Sequence, residues 1–368
     1  MNNKLVIIGA NDFQNQLILK AKDLGYETHV FAWKDGSIGE RTADYFYPIS
    51  IIEHDEILEQ CIKIHPVGIC TIASDLAANT VTYLSNKLGL CGNSLDTIEK
   101  CSNKFAMRKA LEAASIRVPK YYKASSIEDV DLGSIEFPII VKPTDRSGSR
   151  SITKLSSAEG LDNAIQLAIE DSFENMAIVE EYFEGEEFSA ECISFKGQHK
   201  LLAVTKKFTT GAPNFIETGH CEPSGLSDEV IKRLEKVLFV AFDALSIKYG
   251  ASHPEFKIDS DGNIKIIEIG ARMGGDCIGS DLVPLSTGYD FVKMVIDVAC
   301  GKQPDFTKIC EPREVAIKFI FSEEDLMELE NFKKNNYDKI YRVSEMDLRN
   351  IGKTVDSSSR VGYFIYFK

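Results

Sequence analysis

Apolar positions along the chain alternate between two rhythms. Residues 4–9 read Lys-Leu-Val-Ile-Ile-Gly, an unbroken apolar run closed by a glycine turn, which predicts a short buried strand. Residues 13–24 follow with helical spacing, and 27–33 predict a second strand. The run 67–73 predicts another strand, and 76–88 another helix. Strands that alternate with helices imply a parallel, doubly wound sheet. Its first turn is Gly9-Ala10-Asn11-Asp12, not Gly-x-Gly-x-x-Gly, so it carries no dinucleotide fingerprint. A crevice for a small ligand at the switch point of the sheet stays open.

The rhythm changes after residue 98. Residues 98–114 predict one helix, with Lys104 and Arg108 on one face and Val118-Pro119 beyond its end. A strand over 135–141 reaches Lys142-Pro143, and a polar loop, 144–151, follows. A helix over 161–169 and a strand over 177–181 come next. Residues 188–195 and 200–205 predict an antiparallel pair about Lys196-Gly197, and 227–245 an amphipathic helix. The strands 251–258 and 263–269 face each other across Asp259-Ser260-Asp261-Gly262, a strong hairpin turn. A helix over 288–299 follows, and the remainder mixes short strands with an acidic helix over 323–330. Arg360-Val361-Gly362-Tyr363 leads into a final strand. There is no internal repeat and no low-complexity linker.

Composition narrows the partners. With 42 Lys and Arg against 56 Asp and Glu, the net charge is −14, a surface that repels a phosphate backbone and excludes nucleic acid as the expected partner. The nine cysteines form no Cys-x-x-Cys, and an odd count scattered through apolar runs predicts reduced thiols in a cytoplasmic protein. The N-terminus lacks a signal-peptide layout, and no apolar run approaches the ~20 residues of a membrane span, so no membrane partner is expected.

The candidate chemistry centres on Glu268-Ile269-Gly270-Ala271-Arg272-Met273-Gly274-Gly275-Asp276. Glu255 and Glu268 lie on opposite arms of the hairpin. They read either as solvated strand carboxylates or as ligands to a hard cation, which takes one or two carboxylates and completes its shell with phosphate and water. Arg272 adds a guanidinium able to clamp a carboxylate or phosphate with paired donors. Lys142 stands just before a loop rich in small residues, in which backbone N–H groups and Ser149 can approach phosphate oxygens. Residues 179–189 are acidic and aromatic together. They read either as a strand with a solvated rim or as a nucleoside slot, the backbone meeting a base edge and Glu187 the ribose hydroxyls.

These elements, in this order and spacing over roughly residues 1–300, resemble the ATP-grasp superfamily. Asn103-Lys104 is similar to its first ATP lysine, with Asn where Asp is usual, and Val141-Lys142-Pro143 to its second. Gly148-Ser149-Arg150-Ser151-Ile152 resembles the mobile phosphate loop, with Ser151 in place of a glycine. Glu180, Glu181, Tyr182 and Phe183 match the adenine hinge, Glu187 the ribose carboxylate, and Glu255 with Glu268 the paired magnesium ligands. Gly270 stands where many members carry the metal-completing Asn. With Ile216-Glu217-Thr218-Gly219-His220, this is similar to the branch of amino-acid and dipeptide ligases.

The resemblance implies an α/β and α+β chain: an N-terminal doubly wound domain (1–98), an ATP-grasp core (99–300) with a mobile lid (118–188), and a C-terminal part (301–368) packed on the core. It implies ATP as co-substrate with Mg²⁺, or Mn²⁺ in its place, and small-molecule carboxylate and amine substrates joined through an acylphosphate. Lys104 and Lys142 would neutralise phosphate charge. Arg272, aided by N–H groups of Gly274 and Gly275, would hold the acylphosphate, and His220 would meet substrate. A bicarbonate-activating carboxylase, a ligase acting on a sugar or polymer precursor, and a non-catalytic ATP-binding regulator are the rivals. A homodimer is common among similar proteins, though nothing in the chain spells one out.

Overall fold

In Leu5-Val6-Ile7-Ile8 every residue is buried, and alternate residues enter different cores: Leu5 and Ile7 join one cluster, Val6 and Ile8 another. A strand covered on both faces has no polar side to show, which is why this run does not alternate. The computed structural model describes residues 3–148, 150–212, 215–353 and 359–368. Its first sheet is parallel, in the order β3-β2-β1-β4, with β1 (Lys4–Ile8), β2 (Glu27–Phe31), β3 (Tyr45–Tyr47) and β4 (Gly68–Cys70). Between them run α1 (Asp12–Asp23), α2 (Gly39–Thr42) and α3 (His54–Ile64), and α4 (Asp75–Leu88) follows. Asn11 and Gln14 close a reciprocal capping box at the start of α1. The predicted strand over 67–73 is shorter than expected, because Ala73 takes a φ of 60° and turns the chain into α4.

The helix expected over 98–114 is two. Asn103, in extended conformation, ends α5 (Leu95–Ser102) and caps α6 (Lys104–Ala113) by accepting from the N–H of Ala106 at 3.0 Å. A second, antiparallel sheet, in the order β5-β8-β6-β7, comprises β5 (Tyr121–Ala124), β6 (Ile139–Pro143), β7 (Thr153–Leu155) and β8 (Ala177–Glu181). β6 starts after Pro138 and includes Lys142 and Pro143, later than the predicted 135–141. With α7 (Leu161–Asp171) this sheet encloses its own core around Val141, Val179 and Ile165. It lies within the segment expected as a lid.

The third sheet is antiparallel, in the order β13-β12-β9-β10-β11-β14-β16-β15. Its strands are β9 (Glu186–Phe195), β10 (Gln198–Thr209), β11 (Glu217–Glu222), β12 (Gly250–Ile258), β13 (Ile264–Gly270), β14 (Val315–Ile320), β15 (Ile340–Val343) and β16 (Gly362–Phe367). Asp259 fastens the β12–β13 turn by accepting from the N–H groups of Asp261 and Asn263, and Gly262 supplies the positive φ of 77°. The helices α8 (Asp228–Ala244), α9 (Val283–Thr287), α10 (Phe291–Ala299) and α11 (Glu323–Asn335) complete the chain. The C-terminal strands continue the sheet that holds the hairpin, since β14 pairs with β11. Among the described residues no helix is long and apolar enough to cross a membrane.

Candidate active site

A cavity of about 360 Å³ opens between the second and third sheets, and α6, α4 and the loop after β6 also border it. Glu255 on β12 and Glu268 on β13 are direct cross-strand partners, with a bulge immediately after Glu255. Directly opposed residues share a face of the sheet, and two like charges so placed repel unless a cation lies between them. Here lysines supply the counter-charge: Lys207 Nζ lies 3.1 Å from Glu255, and Lys104 Nζ lies 3.3 Å from Glu268. Burial opposes the Glu255 charge, yet Lys207 and His253 outweigh it and hold the carboxyl well below its ordinary range. Among the described residues no cluster of three or more His, Cys, Asp or Glu forms an all-protein metal cage. An opposed pair of carboxylates is what a hard divalent ion uses when it keeps most of its shell for substrate oxygens and water.

Lys142, at the end of β6, is buried with its Nζ 2.6 Å from Glu180. Arg108 grips the same carboxylate through Nε at 2.8 Å and Nη2 at 3.1 Å, and Nη2 also donates to the Ile267 carbonyl. Burial alone would push the Glu180 carboxyl up, but the two cations hold it down at about 2. Burial pulls the Lys142 ammonium below its ordinary value, against the attraction of Glu180. Glu180 is thus an anchor beneath the cavity, and its side chain is not available to a nucleoside. The N–H groups of Glu181 and Tyr182 donate to the carbonyls of Lys120 and Pro138. The Glu181 carboxylate accepts from the N–H groups of Lys120 and Glu136, and Tyr182 carries Lys154 Nζ at 3.5 Å from its ring centre. Phe183 and Glu187 border the cavity, and Glu187 lies 3.5 Å from Lys207.

The loop after β6 is pinned at its start. Asp145 accepts from the N–H groups of Phe173 and Glu174, and Lys104 Nζ donates to the Arg146 carbonyl at 2.5 Å. Gly148 follows with a φ of 78° and open space where a side chain would stand. Ser149 lies outside the described residues.

Arg272 is held by Asp75, the first residue of α4, through Nε at 2.8 Å and Nη2 at 3.1 Å. Its Nη1 donates to the Met273 carbonyl at 3.4 Å, so the guanidinium borders the cavity in a fixed plane. Gly274 does not play the part expected of it. Its N–H donates to both oxygens of the buried Glu191 at 3.1 Å, so it is spent inside the protein. A Cβ there would stand 2.2 Å from Glu191 Oε1 and 2.6 Å from His253 Nδ1, and this close approach is what demands glycine. Gly275 borders the cavity. His220 is buried on β11, edge-on to Phe319, with Nε2 3.6 Å from Asp276. Burial lowers its affinity for a proton, against the pull of Asp276.

Four residues at this site went unassigned in the sequence. His253 stands two residues before Glu255 on one strand, a spacing that puts both on one face and could have been read. It bonds Glu191 at 2.5 Å and Glu255 at 3.2 Å. Lys207 signals itself only as a charge shortly after the buried run 202–205 of its strand. Asp75 and Glu191 carry no local signal, because only the tertiary fold brings them to Arg272 and Gly274.

An ATP-grasp domain match covers residues 135–281. The chain is 26% identical over 311 residues to the alanine–anticapsin ligase of Bacillus subtilis, a match covering 75% of this chain. It spans 65% of that ligase's length. Among solved structures, L-amino acid ligase from Bacillus licheniformis superposes with a TM-score of 0.84 at 22% identity, over 100% of this chain and 93% of that one. Phosphoribosylglycinamide synthetase from Anaerococcus prevotii gives 0.80 at 21%, over 100% and 94%. Residues 135–281 thus match an ATP-grasp domain, and the whole chain shares the fold of these two solved structures.

Proposed function

We propose that this chain is an ATP-dependent carboxylate–amine ligase that joins an amino acid to an amine through an acylphosphate. The observation that carries this reading is the convergence of Glu255, Glu268, Lys104, Lys142 and Arg272 on one cavity. Opposed carboxylates, two buried lysines and an oriented guanidinium are what a transferring phosphoryl group requires, since its catalysis is mostly positioning and charge stabilisation. Glu255 and Glu268 would hold Mg²⁺, which when bound shields phosphate charge. Lys104 and Lys142 would take phosphate oxygens, each exchanging its present carboxylate partner. A carboxylate oxygen of the substrate attacks the γ-phosphorus, and the bond to the β,γ-bridging oxygen breaks, releasing ADP. Arg272, braced by Asp75, would hold the resulting acylphosphate. The amine nitrogen then attacks the acyl carbon, the bond to phosphate oxygen breaks, and the departing phosphate takes the proton that the nitrogen gives up. The sheet of 121–181 would act as a lid that keeps water from the acylphosphate. The similarity to an alanine–anticapsin ligase favours an amino acid as one substrate.

The test is release of ADP with single and paired amino acids, and separately with bicarbonate. Amine-dependent ADP formation is expected, and ADP release with bicarbonate alone would replace the reading with a carboxylase. Glu268→Ala should lower turnover by at least a hundredfold while its melting curve keeps a single folded transition; activity near that of the wild type would remove Glu268 from the site.

A further inference from the structure

Lys104, Lys142, Lys207 and Arg272 each stand on a carboxylate at the cavity. Arg146, in the loop after β6, differs from them. It borders the cavity and is half-buried, yet among the described residues its guanidinium enters no ion pair. It centres instead 4.3 Å from the ring centre of Phe173. The neighbouring residue, Asp145, builds that contact. Its carboxylate accepts from the Ser172 hydroxyl at 2.9 Å and from the N–H groups of Phe173 and Glu174 at 3.1 and 2.8 Å, which fixes the 172–174 turn beside the loop. The ring is 62% exposed, so the guanidinium rests against an outer surface and not in a core. The backbone of Arg146 is fixed as well, because its carbonyl accepts from Lys104 Nζ at 2.5 Å. A phosphate oxygen held by Lys104 would therefore lie one ammonium group away from the backbone of Arg146, within reach of its side chain.

We propose that Arg146 is a further catalytic residue with two positions: stacked on Phe173, and turned into the cavity onto the γ-phosphoryl oxygens of bound ATP, which it follows as they pass to the substrate carboxylate. The inference rests on the phosphoryl-transfer reading above. In that step the bond from the γ-phosphorus to the β,γ-bridging oxygen breaks as the bond to the carboxylate oxygen forms, and Arg146 neither gains nor loses a proton. Charge spreads over the three equatorial oxygens, and a planar fork meets two of them with parallel N–H donors. Lys104 stands 3.3 Å from Glu268, one of the opposed carboxylates, so the phosphate beside Lys104 and Arg146 is the one at the reacting end of the nucleotide. Lys104 and Lys142 must each leave a carboxylate to take a phosphate oxygen. Arg146 leaves only an exposed ring, and such a contact shifts an equilibrium by about two- to fivefold. Its guanidinium is thus held ready near the site at little cost to the position in which it acts.

The test titrates the full chain, by calorimetry, with MgADP and with the magnesium complex of β,γ-imido-ATP, which carries the γ-phosphoryl group but cannot transfer it. Arg146→Gln should weaken the imido analogue at least tenfold and ADP less than threefold. Arg146→Lys should recover part of that loss, since an ammonium keeps the charge but not the fork. Phe173→Ala keeps the N–H that Asp145 accepts and removes only the ring, so it should tighten the analogue about two- to fivefold and leave ADP unchanged. In the ADP-release assay above, Arg146→Gln should lower kcat at least 100-fold. An equal loss for both nucleotides overturns the proposal, because it marks a role in shaping the loop, and so does a kcat within threefold of the parent. An unchanged analogue affinity in Phe173→Ala overturns the exchange between two positions. Binding of neither nucleotide by the unaltered chain overturns the ligase reading and the proposal with it. Nucleotide binding without ADP formation from any carboxylate and amine overturns the ligase reading alone, and the contrast between the two nucleotides still decides whether Arg146 meets the γ-phosphoryl group. Should Arg146→Gln lack a folded transition, Arg146→Lys takes its place in both comparisons.

Discussion

Glu222, on β11, shows how burial sets a residue's behaviour. Its carboxylate accepts from the hydroxyls of Thr205 and Ser286, both at 2.6 Å, and no lysine or arginine faces it at bonding distance among the described residues. Burial is the largest influence and pushes the carboxyl up from 4.5 to about 7. The folded protein then binds more protons than the unfolded chain between those values, so stability falls as pH rises through that window. The loss amounts to about 3 kcal/mol once pH passes 7. Denaturant unfolding should therefore give a lower stability at pH 8 than at pH 5, and Glu222→Gln should flatten that difference. A variant with the same pH slope as the parent would show that another group is responsible. Glu180 shows the contrary case, since two buried cations overcome the same desolvation. What the sequence reveals at this scale follows from locality. Glu255, Glu268, Lys142 and Arg272 are legible because each sits on or beside a readable strand or in a short motif. Arg360 and Asp75 are not, because their partners lie 84 and 197 residues away.

At the scale of elements, hydrophobic rhythm located most strands and helices, and it failed where one polar side chain decides. Residues 98–114 keep a helical spacing throughout, so the pattern cannot show the break at Asn103. Only the competition of its side chain for a helix N–H reveals it. That break has a purpose in the site, because it starts α6 at Lys104, whose own N–H donates to the Thr144 carbonyl at 2.7 Å. Asn103→Ala should cost about 1 kcal/mol of stability. It should also raise the KM for ATP several-fold, since Lys104 loses its fixed start. Asn103→Ser, which can cap, should restore most of the stability in thermal unfolding. If serine proves no better than alanine, capping is not what Asn103 contributes; its bond to Glu174 at 2.8 Å is then the alternative. Short strands such as β5 and β7 escaped notice because three or four residues are too few to display a period.

At the scale of the whole molecule, the boundary expected at residue 300 does not divide the chain mechanically. β14 pairs with β11 in a register that sets His220 opposite Ile317, so β11 is an interior strand only because the C-terminal segment is present. Val315, Ile317, Phe319, Ile365 and Phe367 bury themselves against Cys277, Ile278 and Leu282, directly after the glycine pair of the site. Each such side chain contributes about 1.5–3 kcal/mol, so together they supply on the order of 10 kcal/mol. Folded domains hold only about 5–15 kcal/mol in all. Removing residues 301–368 should therefore do more than trim an appendage. It would bare the edge of β11, expose Cys277, Ile278 and Leu282, and remove Arg360 from Glu217 and Asp276. The expected outcome is a fragment that aggregates or lacks a single cooperative transition by circular dichroism, with no ATP-dependent activity. A monomeric 1–300 fragment that melts cooperatively and binds ATP as the full chain does would show instead that the first two sheets and the hairpin form a self-sufficient body. The C-terminal strands would then act on substrate alone, and the loss in that fragment would fall on the KM for the amino acid.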